Sequence, residues 1–212
     1  MNLRQSERDK IKLLRGHMHF GLHNYFQKSF RYVTFLRNPI DRVTSYYKYA
    51  RKYKNHQLHS FAISRSLSEF VIDINPYINN AALFHLSGLP IQTSPEIMFD
   101  KALENCKKFF PVIGILEKFD ESLIRMQKEF GWDLPYYKKY NSTRKMNLKI
   151  NSADIEVVEK LNQEEIKFYN IFLQNHIDEA SKKSILNQKD FLLLKSKSKL
   201  YSFAKNVHDK IR

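Results

Sequence analysis

Residues Tyr32–Tyr47 read Y-V-T-F-L-R-N-P-I-D-R-V-T-S-Y-Y. The first five, Tyr32–Leu36, are β-branched, aromatic or aliphatic, and predict a buried strand. Arg37-Asn38-Pro39 ends that strand and opens a helix, because Asn is a strong N-cap and Pro is favoured at the first helical position. Ile40, Val43, Tyr47 and Ala50 then recur at helical spacing and give the helix an apolar stripe. In an open parallel sheet a ligand binds beyond the carboxyl ends of the strands. Arg37 stands at such an end, and its planar guanidinium can fork onto two phosphate oxygens. Ser45 follows eight residues later, about two turns into the helix, where its hydroxyl can donate to the same phosphate. Taken alone, an Arg and a Ser at that spacing read as a solvated strand end and a neutral helix residue. The ordered strand, N-cap, Pro and amphipathic helix make the pair a candidate site.

Outward from this stretch the pattern alternates. Met1–Arg15 reads as a polar-faced helix, broken by Gly16–Gly21, and Leu22–Lys28 as a second short one. Ser66–Asp73 and Asn79–Ser87 read as helices, the latter stopped by Gly88. Phe110–Leu116 (F-P-V-I-G-I-L) reads as a second buried strand. Glu117–Phe130 follows as an amphipathic helix with Gly131 as its stop. Residues 132–150 carry loop composition. Ala153–Leu161 and Gln163–Ile177 read as helices with Leu161, Ile166, Tyr169 and Phe172 inward. Two strands separated by helical stretches predict a parallel sheet.

The chain has 212 residues, 42% hydrophobic and 14% aromatic, enough for one sizeable core and too apolar for a disordered segment. Its 36 Lys+Arg against 22 Asp+Glu leave a formal charge of +14, which suits an anionic partner. The charge is uneven: Ser181–Arg212 holds nine Lys/Arg and two Asp, a net +7 that need not serve a site. Cys106 is the single cysteine, so neither an intrachain disulfide nor a Cys-based zinc site can form. Met1–Arg15 lacks the apolar core of a signal peptide, and Phe191–Leu194 is far short of a transmembrane span. These features set the expectation of a cytoplasmic chain.

The stretch F-L-R-N-P-I-D-R-V-T-S-Y-Y resembles the 3′-phosphate-binding segment of sulfotransferases that use 3′-phosphoadenosine 5′-phosphosulfate, in particular the carbohydrate and uronyl 2-O-sulfotransferases and their bacterial relatives. Further blocks resemble the family in the same order. These are Arg15–His23 (R-G-H-M-H-F-G-L-H), Asn80–Gly88 (N-A-A-L-F-H-L-S-G), Gly114–Trp132, and Asn162–Phe172 with its acidic residue before F-Y. The likeness spans roughly residues 13–175. It implies an α/β, P-loop-NTPase-like three-layer fold with a short parallel sheet flanked by many helices, over residues 1–180. It implies transfer of a sulfuryl group from 3′-phosphoadenosine 5′-phosphosulfate to a hydroxyl, on a carbohydrate acceptor, with Arg37 and Ser45 on the donor's 3′-phosphate and no metal. Such a transfer needs a base for the acceptor proton, and histidine is poised for that near neutral pH. His17 occupies the Gly-His position that resembles the family's proposed base. His19 and His23 read as structural or surface residues. Three histidines in seven residues lack a companion ligand at zinc spacing.

Two departures stand out. No segment of the 212 residues reads K-T-G-G-T-T or K-T-A-G-T-T, the loop that cradles the 5′-phosphosulfate in the family. A late start or a shortened relative is the expectation, and with it an open sheet edge. Phe84 stands where the Asn80 block of the family has Arg. Two other functions are therefore weighed: a catalytically inactive sulfotransferase-like remnant, and a basic nucleic-acid binder using Arg42–His56, where Arg and Lys mix with Tyr. The tyrosines of that stretch fall mostly on the core-facing stripe, so no nucleic acid is expected. The tail, 181–212, places Leu200, Phe203, Ala204, Val207 and Ile211 at helical spacing opposite lysines. It reads either as a membrane-surface helix that would make the protein membrane-peripheral, or as a terminal helix docked on the domain.

Overall fold

In a computed structural model the 32–47 stretch forms the strand and helix that its residues dictate. The structure describes residues 4–133, 135–138, 148–182 and 187–211, leaving out the side chains of 180–182, 203, 204 and 206–211. Strand β1 is Val33–Leu36. Helix α2, Pro39–Lys52, begins after Asn38, whose Oδ1 accepts from the amides of Ile40 and Asp41 at 3.0 and 3.2 Å. Its buried residues are Pro39, Val43, Tyr47 and Ala50.

The chain is a mixed α/β structure, mostly helical. Helix α1 is Gln5–Arg8, and a 3-10 turn covers Leu22–Tyr25. After α2 come α3 His59–Ile63, α4 Leu67–Asp73, α5 Ala81–Ser87 and α6 Pro95–Phe109. Strand β2, Val112–Ile115, then pairs parallel with β1, from Val33 opposite Val112 to Leu36 opposite Ile115. A 3-10 turn, Leu116–Lys118, leads into α7, Phe119–Phe130, followed by α8 Ser152–Leu161, α9 Gln163–Lys182 and α10 Gln188–Ile211. Among the described residues the sheet has these two strands only. Gly114 lies directly under Phe35, its cross-strand neighbour. A Cβ there would stand 2.6 Å from the phenyl ring, so glycine is what lets β2 approach β1.

Two apolar clusters flank the sheet-to-α2 unit. One joins Leu36 and Ile115 to Leu83, Leu86, Met98, Ala102 and Phe168, packing α5, α6 and α9 on the strands. The other gathers Val43, Tyr47, Leu67, Phe70, Val71 and Val158, holding α2 against α3, α4 and α8. Between them runs a buried polar seam. Arg42 forks onto Glu165, Nε to Oε1 at 3.1 Å and Nη2 to Oε2 at 3.2 Å, and its Nη1 donates to the Ile78 carbonyl. The Glu165 side chain is 2% exposed. Its Oε2 also accepts from the Ala82 amide, while Asn162 Oδ1 accepts from the Asn80 amide. Asn80, left-handed at φ 52°, donates to the Leu161 carbonyl and accepts from the Glu165 amide. Every atom of this seam's carboxylate is thus matched, the condition under which a buried ion pair is tolerated.

Several expectations are corrected. The N-terminal helix is a single turn, because residues 9–15 bury no apolar face and a short isolated helix is marginal in water. Helices α3 and α6 arise where the pattern gave none. Phe168, which is fully buried, rather than Ile166 or Phe172, leads the core face of α9. In the tail, Leu194 is buried against Ile124 of α7 and Lys128 pairs with Asp190, so the first part of α10 is docked, whereas Leu200 is 70% exposed. The side chains of Phe203, Ala204, Val207 and Ile211 lie outside the described residues. Among the described residues no helix is long and apolar enough to cross a membrane.

Breaking the seam from one side leaves a buried charge without its partner. Glu165→Ala is expected to lower unfolding free energy by about 3–5 kcal/mol, and the double change Arg42→Met with Glu165→Leu to recover much of it. Urea unfolding of the three proteins measures both.

Candidate functional site

The site is built at the carboxyl ends of β1 and β2. Arg37 follows β1 directly and is half-buried, and among the described residues no hydrogen bond or ion pair engages its guanidinium. The backbone beside it is held from the other strand. Glu117, just beyond β2, accepts from the Asn38 amide at 2.9 Å through Oε1 and from the Tyr169 hydroxyl at 3.0 Å through Oε2. Burial, and then this bond to Glu117, pushes the Tyr169 phenol well above the usual range, so it stays a donor. One carboxylate therefore ties the strand-to-helix corner to α9.

Ser45 lies six residues after Pro39, about 9 Å along the α2 axis. It is half-buried, and at two residues from both Val43 and Tyr47 it is roughly 200° round from that buried stripe. Helical side chains lean toward the N-terminus, so its hydroxyl is directed back toward the turn that follows Arg37. Arg37 and Ser45 belong to one rigid strand–turn–helix unit.

The histidines divide. His23 belongs to an aromatic cluster at the opposite, amino end of the sheet. Its Nδ1 is 2.8 Å from the Tyr32 hydroxyl and its ring is stacked at 4.3 Å on Phe30. Burial, then Lys108, lowers its pKa. His17 and His19 are exposed in the loop before the 3-10 turn. That loop is pinned to α5, because the Phe20 amide donates to the His85 carbonyl at 2.8 Å. The His19 ring consequently lies 4.1 Å from Phe84 and 4.7 Å from His85. Burial, then the charges of His19, His17 and Arg42, lowers the His85 pKa. The structure thus brings His17, His19 and His85 together. His85 carries no signal in the sequence, since its role depends on a loop 65 residues away folding back onto it.

The basic stretch Arg42–His56 is spent largely on internal bonds. Arg42 is held by Glu165, Arg51 donates to the Ala62 carbonyl and the Tyr47 hydroxyl, and Tyr47 donates to the Arg65 carbonyl. Tyr46 rests against Phe70, leaving Tyr49 and Tyr53 stacked on each other toward solvent. Cys106 is buried and its thiol is pushed up to about 12, which makes it inert. Among the described residues no group of three His, Cys, Asp or Glu could hold a metal ion. Two surface hollows lie elsewhere. One of about 430 Å³ is lined by Tyr137, Leu194 and Lys199, and one of about 300 Å³ by Phe30, Lys108 and Pro111.

No family model, curated protein or solved structure matches this chain.

His176 gives a separate check on the electrostatics. It is buried, 3.3 Å from Glu121, with Arg125 and Glu179 beside it. Burial first, and then Arg125, lowers its pKa. A lowered histidine pKa means that the folded state prefers the neutral ring. That stability is present above the unfolded value near 6.5 and is lost as pH falls through the folded value. His85 and His23 carry the same sign. The urea midpoint is expected to drop between pH 7.5 and 5.5, and His176→Gln to flatten that slope.

Proposed function

We propose that this chain is a sulfotransferase-type protein, which moves a sulfuryl group from 3′-phosphoadenosine 5′-phosphosulfate to a hydroxyl of a carbohydrate. In this reading Arg37 and Ser45 hold the donor's 3′-phosphate, and the histidines of the 17–19 loop border the acceptor. The observation that carries it is the half-buried Arg37 guanidinium, at the tip of a parallel strand and unpaired by any described residue, beside a helix whose N-terminus opens on the same corner. A strand-end guanidinium without a protein partner is suited to a phosphate. The convergence of the sequence blocks supports it as well: Arg42, Asn80, Asn162 and Glu165 come from three separate blocks and share one buried seam. The two-stranded parallel sheet with helices on it is compatible with a P-loop-NTPase-like three-layer arrangement.

One observation favours a second reading, a nucleotide-binding relative without turnover: the family's phosphosulfate-cradling loop is absent from the 212 residues. Losing such a preorganised electrostatic element costs orders of magnitude in rate. The two readings share the 3′-phosphate site and separate on transfer.

Isothermal titration with adenosine 3′,5′-bisphosphate is expected to give saturable one-site binding. Arg37→Ala should weaken it by about 1.5–3 kcal/mol, and Ser45→Ala by about 0.5–1.5 kcal/mol. Equal affinity in all three proteins removes the site. Steeply salt-dependent, sequence-tolerant binding of single-stranded RNA in its place would favour a nucleic-acid role.

A further inference from the structure

The loop carrying His17 and His19 is fastened to α5 at two points. Phe20 donates its amide to the His85 carbonyl at 2.8 Å. Gly88, at φ 70°, approaches so closely that a Cβ on it would stand 2.8 Å from the Phe20 carbonyl oxygen. Both constraints fix the loop backbone, and with it the His19 ring against His85. Phe84 lies 4.1 Å from the His19 ring and 5.3 Å from that of His85, and forms an apolar side to the pair. α5 itself is anchored to the donor-side helix, since Glu165 bridges the Ala82 amide and Arg42. His85 is thereby held in fixed relation to the unit bearing Arg37 and Ser45.

We propose that His85, with His17 and His19 as its flanking imidazoles, is the group that takes the proton from the acceptor hydroxyl. This rests on the sulfuryl-transfer reading above and assigns the base to a residue that reading left open. In the step, the acceptor oxygen attacks sulfur and the bond from sulfur to the donor's phosphate oxygen breaks. Adenosine 3′,5′-bisphosphate leaves with that electron pair, and the hydroxyl proton passes to His85 Nε2 and then to water.

Three features carry the assignment. His85 Nδ1 is buried and among the described residues has no hydrogen-bond partner. A second N–H on the ring would leave a buried donor unmatched, which costs about 1–3 kcal/mol. The ring is therefore neutral in the free protein, and Nε2 is the nitrogen that can exchange protons with a ligand. The charges that reach it among the described residues are all basic: His19 and His17 from the loop, and Arg42 from α2. These keep the proton off until an anion arrives. A bound nucleotide, rich in negative charge, favours the imidazolium and strengthens the base as the donor is seated. His17, exposed to solvent, has no such built-in coupling.

The test is a histidine-ring NMR titration of the whole chain with and without adenosine 3′,5′-bisphosphate. It is paired with the pH profile of sulfuryl transfer in wild type, His85→Gln and His17→Gln. Free His85 should titrate below His17 and move upward by about one pH unit, a tenfold change in proton affinity, when nucleotide binds. His85→Gln should keep nucleotide affinity within about threefold, lose about 100-fold or more in transfer, and lose the acidic limb of the profile. His17→Gln should shift that limb without removing it. His85→Asn serves as a second variant where Gln disturbs the Phe20 tether. Nucleotide binding with an unmoved His85 titration, or transfer by His85→Gln at the wild-type rate, or nucleotide bound with no transfer in wild type, overturns this assignment alone. Failure of the wild-type chain to bind nucleotide overturns the sulfotransferase reading and this proposal together.

Discussion

The Arg42–Glu165 pair is the constraint on which the rest of the arrangement depends. Two charges withdrawn from water are costly, and the cost is offset only when geometry and secondary hydrogen bonds are both complete. Here the guanidinium forks onto both carboxylate oxygens and also binds the Ile78 carbonyl, while the carboxylate takes the Ala82 amide. The pair therefore fixes three helices at once: α2 through Arg42, α9 through Glu165 and α5 through its first turn. Asn80 and Asn162 complete the joint by exchanging bonds with each other's backbone surroundings. None of these partners can be shifted without leaving a buried polar group unmatched.

Arg37 and Arg42 are five residues apart and have opposite environments. Arg42 is saturated by protein and acts as structure. Arg37, at the strand tip, has none of the described residues as a polar partner. Around it, Glu117 takes the Asn38 amide and the Tyr169 hydroxyl, so its oxygens are already engaged with neutral donors. The corner is thus rigid while its guanidinium keeps its hydrogen-bonding capacity for a ligand. The same joint that seats α5 brings His85 into a fixed place, and the Phe20 tether brings His17 and His19 to it.

Much of the scaffold was legible in the sequence because its signals are local. Asn38-Pro39 marks the start of α2, Ser66 and Glu69 form a capping box at α4, and Gly88 and Gly131 end α5 and α7 in left-handed conformations. Both strands read correctly from their β-branched and aromatic runs, to within two residues at each end. Helix α6 did not, although Ser94-Pro95 opens it. Its buried positions include Ala102, Asn105 and Cys106, small or polar residues that leave only a faint periodicity. The polar seam was invisible for a different reason. Arg42, Glu165 and Asn162 look like ordinary surface residues until pairings more than 100 residues apart along the chain bury them. His85 is the same case at shorter range. Residues that hold phosphate are announced by the element they terminate, whereas residues that work through contact are announced only by the fold.

The most direct test of the account is a crystal structure of the chain with adenosine 3′,5′-bisphosphate. The account predicts the 3′-phosphate beyond the tip of β1, within hydrogen-bond distance of both the Arg37 guanidinium and the Ser45 hydroxyl, with the Arg42–Glu165 pair intact. A nucleotide seated elsewhere on the chain, or a complex in which Arg37 and Ser45 face different spaces, would contradict it.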